Sequence, residues 1–164
     1  MFYLPNSKWV YLRPIRQRRL VDIIEAVEDA LWSLGFVPGT LLHNFKAKQT
    51  AQPDLLALMK PKRFHQFCQH YNMRTSETVA WPPEGNAINK MIREAFKKRM
   101  IDNHRPLDFD TYDQYRDTMI SISEELNSAI SPELFHEEKR SSRELPPKGI
   151  MTGFSTYGHN TSRG

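Results

Sequence analysis

The chain has 164 residues, about the length of one domain, of which 39% are apolar and 26% are charged. This composition excludes wholesale disorder, and no apolar run approaches the roughly 20 residues that a bilayer-spanning helix needs. A single cysteine, Cys68, excludes an intrachain disulfide and a cysteine-based zinc ribbon.

The net charge of +4 is unevenly distributed along the chain. Residues 1–21 contain five basic residues and no acidic residue, and residues 139–164 contain five basic residues and one glutamate. The stretch between them has more acidic than basic residues. Basic ends on a slightly acidic body indicate ends that contact an anionic partner or that serve as targeting segments.

Residues 1–14 are rich in aromatic residues and prolines and predict an extended arm. Apolar and polar residues alternate imperfectly over Lys8–Arg13, so a short strand at Trp9–Leu12 is the alternative. No apolar stretch follows the basic residues, which excludes a secretory signal, but an arginine-rich and acid-free segment is also typical of mitochondrial targeting.

The first predicted helix runs from Pro14 or Ile15 to Leu34. Its apolar residues recur every three or four positions and therefore share one face. Pro14 suits the first turn of a helix, and Gly35 suits a left-handed stop after the last turn. The apolar face consists of Leu20, Ile24, Val27, Leu31 and Leu34.

The stretch from Phe36 to Gln52 predicts a loop with a strand-like segment at Thr40–Leu42. A short helix is predicted over Pro53–Met59, and another helix begins at Pro61. Residues 72–83 predict connecting chain. The helix that begins at Pro61 has an apolar face formed by Phe64, Phe67, Cys68 and Tyr71.

Three further helices are predicted in the second half of the chain. The first spans about Glu84–Asn103, the next is capped by Asp110, and a short one runs from Ser131 to Glu138. Residues 139–164 show no periodicity and predict a tail. The buried face of the helix over Glu84–Asn103 is predicted to contain Ile88, Met91, Ile92, Ala95, Phe96 and Met100.

These elements predict a mainly α-helical protein, an irregular bundle of three long amphipathic helices plus short helices with extended N- and C-terminal arms. An α+β fold with the two short strands named above is the alternative. The predicted organisation is an N-terminal arm over 1–14, a single helical body over 15–138 and a basic tail over 139–164. The predicted core contains Leu20, Ile24, Val27, Leu31, Ile92, Phe96, Met119, Ile122 and Leu126.

The sequence contains no complete catalytic or metal-binding constellation. His65 and Cys68 are three residues apart on one helix, but further ligands for zinc are missing. Asp110, Asp113 and Asp117 share a helix face, but the glycine and the bidentate glutamate of a calcium loop are missing. Nucleophile elbows and phosphate loops are also absent. We therefore expect a protein that is not an enzyme and that requires no metal and no cofactor.

The tail combines basic residues with apolar side chains that a purely solubilising tail lacks. We expect these side chains, together with aromatic and basic residues of the N-terminal segment, to bind other protein subunits. The predicted partner-binding residues are Trp9, Tyr11, Arg13, Arg16, Arg18, Arg19, Ile150, Met151, Phe154 and Tyr157.

Basic residues interleaved with aromatic ones also suit nucleic acid, since cations contact phosphates and rings stack on bases. The outward-facing side of the helix over Glu84–Asn103 adds a row of cations that matches a phosphate backbone. The predicted nucleic-acid contacts on this helix are Lys90, Arg93, Lys97 and Lys98.

The apolar anchors and the sparse cations of the tail favour protein over nucleic acid as the partner. We therefore predict a non-catalytic structural or accessory subunit of a large multiprotein assembly, which binds its neighbours through extended arms. A nucleic-acid-binding protein that contacts phosphates through its basic ends and the Lys90–Lys98 face is the alternative. The acid-free N-terminal segment favours a mitochondrial respiratory or ribosomal assembly over a cytoplasmic protein or a virion component.

Overall fold

The structure is a computed structural model that describes residues 1–16, 20–43, 61–78, 82–102 and 109–146. The described residues are mainly helical and include two small sheets. They form two compact units, one made by residues 1–14 and 82–140 and the other by residues 15–78 and 141–146. Residues of the predicted body over 15–138 therefore fall in both units.

The elements alternate short strands with helices. In chain order they are β1 (Phe2–Tyr3), β2 (Val10–Tyr11), α1 (Leu20–Leu34), β3 (Thr40–His43), α2 (Pro61–His70), β4 (Arg74–Glu77), α3 (Pro83–Asp102), α4 (Tyr112–Asn127) and α5 (Pro132–Arg140). Helix α1 belongs to one unit, and α3 and α4 belong to the other. The arrangement of three long helices in one bundle therefore stays a prediction.

The N-terminal ribbon, residues 1–14, joins the apolar core of the first unit. Strand β1 pairs antiparallel with β2, so that Phe2 lies opposite Tyr11 and Tyr3 lies opposite Val10. Burial of each large apolar side chain in such a core contributes about 1.5–3 kcal/mol. The core consists of Val10, Leu12, Ile88, Ile92, Ala95, Met119 and Ile122.

Polar side chains of α4 satisfy the free backbone groups of β2. The Asn127 side chain accepts a 2.8 Å hydrogen bond from the Val10 N–H and donates one of 2.8 Å to the Val10 carbonyl. The Ser123 hydroxyl accepts a 2.9 Å bond from the Leu12 N–H. These contacts replace a third strand, because a buried strand edge must find hydrogen-bond partners.

Side chains of α5 and α4 also form hydrogen bonds with the backbone at the turn and at the end of the ribbon. The Glu138 carboxylate of α5 accepts hydrogen bonds from the backbone N–H groups of Asn6 and Ser7 at 2.9 and 3.1 Å. The Tyr112 hydroxyl donates a 2.6 Å bond to the Pro14 carbonyl. The segment for which the sequence predicted an extended arm thus packs on α4 and α5 of its own unit.

The ends of the helices in this unit follow from capping residues. Thr111, rather than the predicted Asp110, caps α4: its hydroxyl accepts from the Gln114 N–H, and the Gln114 side chain accepts from the Asp110 N–H. The two bonds satisfy the N–H groups of Gln114 and Asp110 in a reciprocal pattern that resembles a capping box. Ser131 caps α5 as predicted, with its hydroxyl accepting from the Leu134 N–H.

The second unit contains a two-stranded parallel sheet with α2 in the connection between its strands. Strands β3 and β4 are paired in register from Thr40 opposite Arg74 to His43 opposite Glu77. A parallel pair requires such a crossover. Strand β4 lies in residues for which the sequence predicted connecting chain, and the strand-like segment at Thr40–Leu42 corresponds to β3.

Helix α1 starts later than predicted and ends where predicted. Residues 14–16 are not helical, and α1 begins at Leu20. The arginines that precede it oppose a helix start, because cations are unfavourable at a helix N-terminus. At the other end, Gly35 has a φ of 81° and its N–H donates to the Leu31 carbonyl. A side chain at this left-handed position would be strained.

The start of the predicted tail is tied to the second unit. Val37 and Arg143 form an antiparallel bridge with two backbone hydrogen bonds of 2.8 and 3.0 Å. Lys139 and Arg140 belong to α5. The helix predicted over Pro53–Met59 and the tail from residue 147 onward lie outside the described residues.

The predicted core residues are mostly buried. Phe96 and Leu126 are half-buried at the edge of the first unit's core. The side chain of Leu20 lies outside the described part of the chain. The buried members are Ile24, Val27, Leu31, Ile92, Met119 and Ile122.

Candidate functional site

The outer side of α3 presents a row of cations. Hydrophobic residues on one side of this helix fix which side faces solvent, since Ile88, Ile92 and Ala95 are buried in the core. The opposite side of α3 therefore faces solvent and carries the polar residues of this helix. We call the four exposed residues there the cationic face: Lys90, Arg93, Lys97 and Lys98. The structure thus brings together the four residues predicted to contact nucleic acid.

Ion pairs neutralise only part of the cationic face. Lys97 contacts Glu94 at 3.0 Å, and Lys98 contacts Glu125 of α4 at 3.5 Å. Pairs this exposed contribute about 0–1 kcal/mol each, so a partner can displace them at little cost. Lys90 and Arg93 form no ion pair with any residue that the structure describes.

Two apolar side chains extend the cationic face toward the end of α3. Met100 is 42% exposed and Ile101 is 70% exposed. At about 100° per residue, Lys90, Lys97 and Ile101 lie within roughly 40° of one another around the helix axis. We call the cationic face together with Met100 and Ile101 the α3 outer surface. The prediction that Met100 is buried is wrong, because the last turn of α3 extends beyond the core residues that cover Ile92 and Ala95.

The predicted partner-binding residues of the N-terminal segment differ in exposure. Trp9 and Tyr11 are 7% and 9% exposed, and their rings stack with centroids 6.3 Å apart. Little of either ring is therefore left for a partner. Arg13 is half-buried and Arg16 is exposed. The remaining predicted residues, Arg18, Arg19, Ile150, Met151, Phe154 and Tyr157, lie outside the described residues.

The cysteine and the histidines of α2 differ in their exposure and in their contacts. Cys68 is 3% exposed, and burial raises the pKa of its thiol to about 11. The thiol is therefore protonated near neutral pH, and Cys68 acts as a small apolar side chain. His65 is exposed, whereas the ring of His70 packs edge-on against Tyr71. Within the described ranges, no three His, Cys, Asp or Glu side chains are grouped as a metal site.

A buried carboxylate in the second unit is held by a tyrosine. Glu28 on α1 is 9% exposed and accepts a 3.0 Å hydrogen bond from the Tyr71 hydroxyl. Burial raises the pKa of Glu28, as do the neighbouring charges of Asp29 and Glu25, whereas the Tyr71 bond lowers it. Burial and the Glu28 charge raise the pKa of Tyr71, so its hydroxyl stays a donor near neutral pH. The pair satisfies two buried polar groups and thereby stabilises the unit.

The aspartates at the start of α4 are paired with an arginine. Arg116 contacts Asp113 at 3.2 Å and Asp117 at 3.1 Å, on an exposed part of the helix. The bond to Asp117 and the charges of both aspartates raise the pKa of Arg116. Asp110 precedes the helix at its cap. The carboxylates of Asp113 and Asp117 therefore have a pairing role that accounts for their positions.

Sequence analysis missed Met100 and Ile101 as members of the exposed surface. Periodicity alone places Met100 in the buried stripe, and Ile101 was not assigned to either face. The one available signal was position, since both residues lie in the last turn of α3, beyond the final buried alanine.

Comparison with protein-family models, with curated proteins and with solved structures gives no match for this chain. None of the helices in the described ranges has the length and apolar character to cross a membrane.

Proposed function

We propose that the protein is a non-catalytic accessory subunit of a larger multiprotein assembly and that the α3 outer surface is one of its contact surfaces. The proposed setting is a respiratory or ribosomal assembly of the mitochondrion, which rests on the acid-free N-terminal segment. The tail residues Ile150, Met151, Phe154 and Tyr157 are proposed as a second contact.

The α3 outer surface is the observation that carries this proposal. It joins Lys90 and Arg93, two cations without an ion-pair partner among the described residues, to an isoleucine that is 70% exposed. A surface that mixes charge with exposed apolar side chains is typical of a protein interface, where apolar contacts supply affinity and charges supply specificity.

The same surface is not needed for folding. Lys90, Arg93 and Ile101 point away from the buried residues of α3, and the first two have no described ion-pair partner. Substitutions of exposed residues of this kind change stability by about 0.5 kcal/mol or less. Loss of binding in such variants therefore reports on the interface rather than on unfolding.

The proposal is tested with the tagged full-length protein, purified under gentle conditions from the cells that naturally produce it. We expect defined subunits to co-purify in constant ratio with the wild type and to be lost from the double variant K90E/R93E. A matched double variant, K8E/R74E, makes the same charge change at two exposed cations elsewhere and should retain them. Recovery of the wild type as a free monomer would refute the proposal.

The tail is tested by truncation after Pro146, because Arg143 forms backbone bonds with Val37 and should remain. We expect this truncation to weaken the retention of subunits without changing the circular dichroism of the helices. Full retention by the truncated protein would show that the tail is not a contact.

Binding to nucleic acid is the second candidate, favoured by the length of the cationic face. From Lys90 to Lys98 the row extends about 12 Å along α3, which is long enough to contact several phosphates of one strand. Four phosphate contacts would make log affinity for a single strand fall with log salt at a slope of about −3. A slope near zero for a labelled oligonucleotide, or no binding, would exclude this candidate.

A further inference from the structure

We infer that the α3 outer surface binds an acidic amphipathic helix of a partner protein. In this arrangement, carboxylates of the partner contact Lys90, Arg93 and Lys97, and an apolar side chain of the partner covers Ile101. The inference rests on the proposed function, since it states which kind of segment the accessory subunit binds.

The spacing of the row is that of one helix face. Lys90, Arg93, Lys97 and Ile101 follow each other at intervals of three, four and four residues. The row is about 16 Å long, with Arg93 about 60° to one side of Lys90 around the helix axis. A second helix packed along it places its own residues at the same intervals opposite the row. Three acidic residues followed by one apolar residue therefore complement this surface.

The cations of the α3 outer surface favour an acidic partner. Lys90 and Arg93 have no described ion-pair partner, and Lys97 shares a solvent-exposed pair with Glu94, whose side chain is 58% exposed. Carboxylates from a partner helix would pair with Lys90 and Arg93 and would compete with Glu94 for Lys97. Complementary charges of this kind steer partners together and fix their register.

The carboxylates beside the row favour a protein helix over a nucleic acid. Glu94 lies 3.0 Å from Lys97, and Glu125 lies 3.5 Å from Lys98. A nucleic acid carries a charge at every nucleotide and would bring phosphates close to these carboxylates. A peptide helix can place a neutral or basic residue there. Ile101 adds an apolar contact that a phosphate backbone does not use.

The test uses synthetic helical peptides and the full-length protein. The probe is an alanine-based helix that carries three glutamates and one leucine at the spacing of the row, made in each of the two chain directions. A matched control peptide has glutamine in place of glutamate. A labelled oligothymidine of about 20 nucleotides is the nucleic-acid probe. Affinities are measured by fluorescence anisotropy at about 150 mM salt.

We expect one direction of the glutamate peptide to bind about tenfold more tightly than its glutamine control. K90E/R93E should weaken this binding about tenfold, and Ile101→Ala about threefold, whereas K8E/R74E should leave it unchanged. Circular dichroism of each variant should match that of the wild type, because all substituted side chains are exposed.

Three results would overturn the inference. The first is equal binding of the glutamate and glutamine peptides. The second is tighter binding of oligothymidine than of either peptide, with loss in K90E/R93E, which would assign the surface to nucleic acid. The third is concentration-dependent dimerisation of the protein alone that K90E/R93E abolishes, which would make a second copy the occupant.

The outcome is separable from that of the proposed function. If subunits co-purify and K90E/R93E releases them, but neither peptide binds, the accessory role stands and the helix inference fails. If a peptide binds as expected but the protein is recovered from its cells as a free monomer, the proposed function fails and the binding site stands.

Discussion

Asn127 is one of the α4 residues that hold the N-terminal ribbon through hydrogen bonds to its backbone. Its side-chain amide pairs with both backbone groups of Val10, 117 residues away in the sequence. Alanine at this position would leave the N–H and the carbonyl of Val10 unpaired in a partly buried place. Each unsatisfied group costs about 1–3 kcal/mol, so we expect Asn127→Ala to lower the free energy of unfolding by about 2–6 kcal/mol.

Urea unfolding near neutral pH measures this loss, with Asn86→Ala as the matched control. Asn86 is exposed in the first turn of α3, and its substitution should change stability by about 0.5 kcal/mol or less. Equal unfolding midpoints for the two variants would show that the Asn127 contacts do not stabilise the ribbon.

The hydrogen bond from Tyr71 to Glu28 makes stability depend on pH. Because the bond favours the ionised carboxylate, its contribution is full where Glu28 is ionised and is lost as falling pH protonates Glu28. Tyr71→Phe should therefore cost about 1.5–3 kcal/mol near neutral pH and less in acid. The pKa of Glu28 should rise further in this variant, since the one effect that lowers it is removed.

Unfolding curves of wild type and Tyr71→Phe across the acid range test this pH dependence. Tyr115→Phe is the control, because Tyr115 is 37% exposed and its ring contact with Phe109 does not need the hydroxyl. A stability loss in Tyr71→Phe that stays constant from neutral to acidic pH would contradict the role given to the Glu28 charge.

At the scale of elements, apolar periodicity predicted the helices because it is a local property of the sequence. Helix α3 was predicted over Glu84–Asn103 and spans Pro83–Asp102, and α1 ends at Leu34 with Gly35 as its stop. In both cases the buried stripe is continuous and a Pro or Gly marks an end.

Two features could not be predicted because they depend on residues far apart in the chain. Strand β4, Arg74–Glu77, contains no apolar residue, and its pairing with β3 is what makes it a strand. The burial of Trp9 and Tyr11 likewise follows from how the ribbon pairs and packs rather than from their local pattern.

The cations of the α3 outer surface could be predicted from the sequence, whereas its exposed apolar residues could not. The four cations follow from the outward side of an amphipathic helix. Met100 continues the i, i+4 series from Ile92 and Phe96, so periodicity assigns it to the buried face. Only the three-dimensional extent of the core shows that the last turn of α3 is exposed.

The same substitution at two isoleucines, Ile122 and Ile101, distinguishes the buried core from the exposed α3 outer surface. Ile122 in α4 is 0% exposed, and Ile101 at the end of α3 is 70% exposed. We expect Ile122→Ala to lower the free energy of unfolding by about 2–5 kcal/mol, since it leaves a cavity in the core. Ile101→Ala should change it by about 0.5 kcal/mol or less. Thermal or urea unfolding measures the stability of both variants. A similar loss of stability in the two would show that Ile101 contributes to the stability of the fold.

At the scale of the whole molecule, the buried titratable groups and the exposed cations of α3 have different environments. Buried titratable groups such as Glu28, Tyr71 and Cys68 are paired or shielded within the second unit and contribute to its packing. Lys90 and Arg93 on α3 in the first unit are exposed and have no ion-pair partner among the described residues. This contrast fits the proposal that the protein binds a partner through α3.

The most direct test of this account is the reactivity of surface lysines in the free protein and in the isolated assembly. Acetylation followed by mass spectrometry reports each lysine separately. We expect Lys90 and Lys97 to react readily in the free protein and to be strongly protected in the assembly, while the exposed Lys8 reacts equally in both. Equal reactivity of Lys90 and Lys97 in the two states would contradict the claim that the α3 outer surface is where this protein meets its partner.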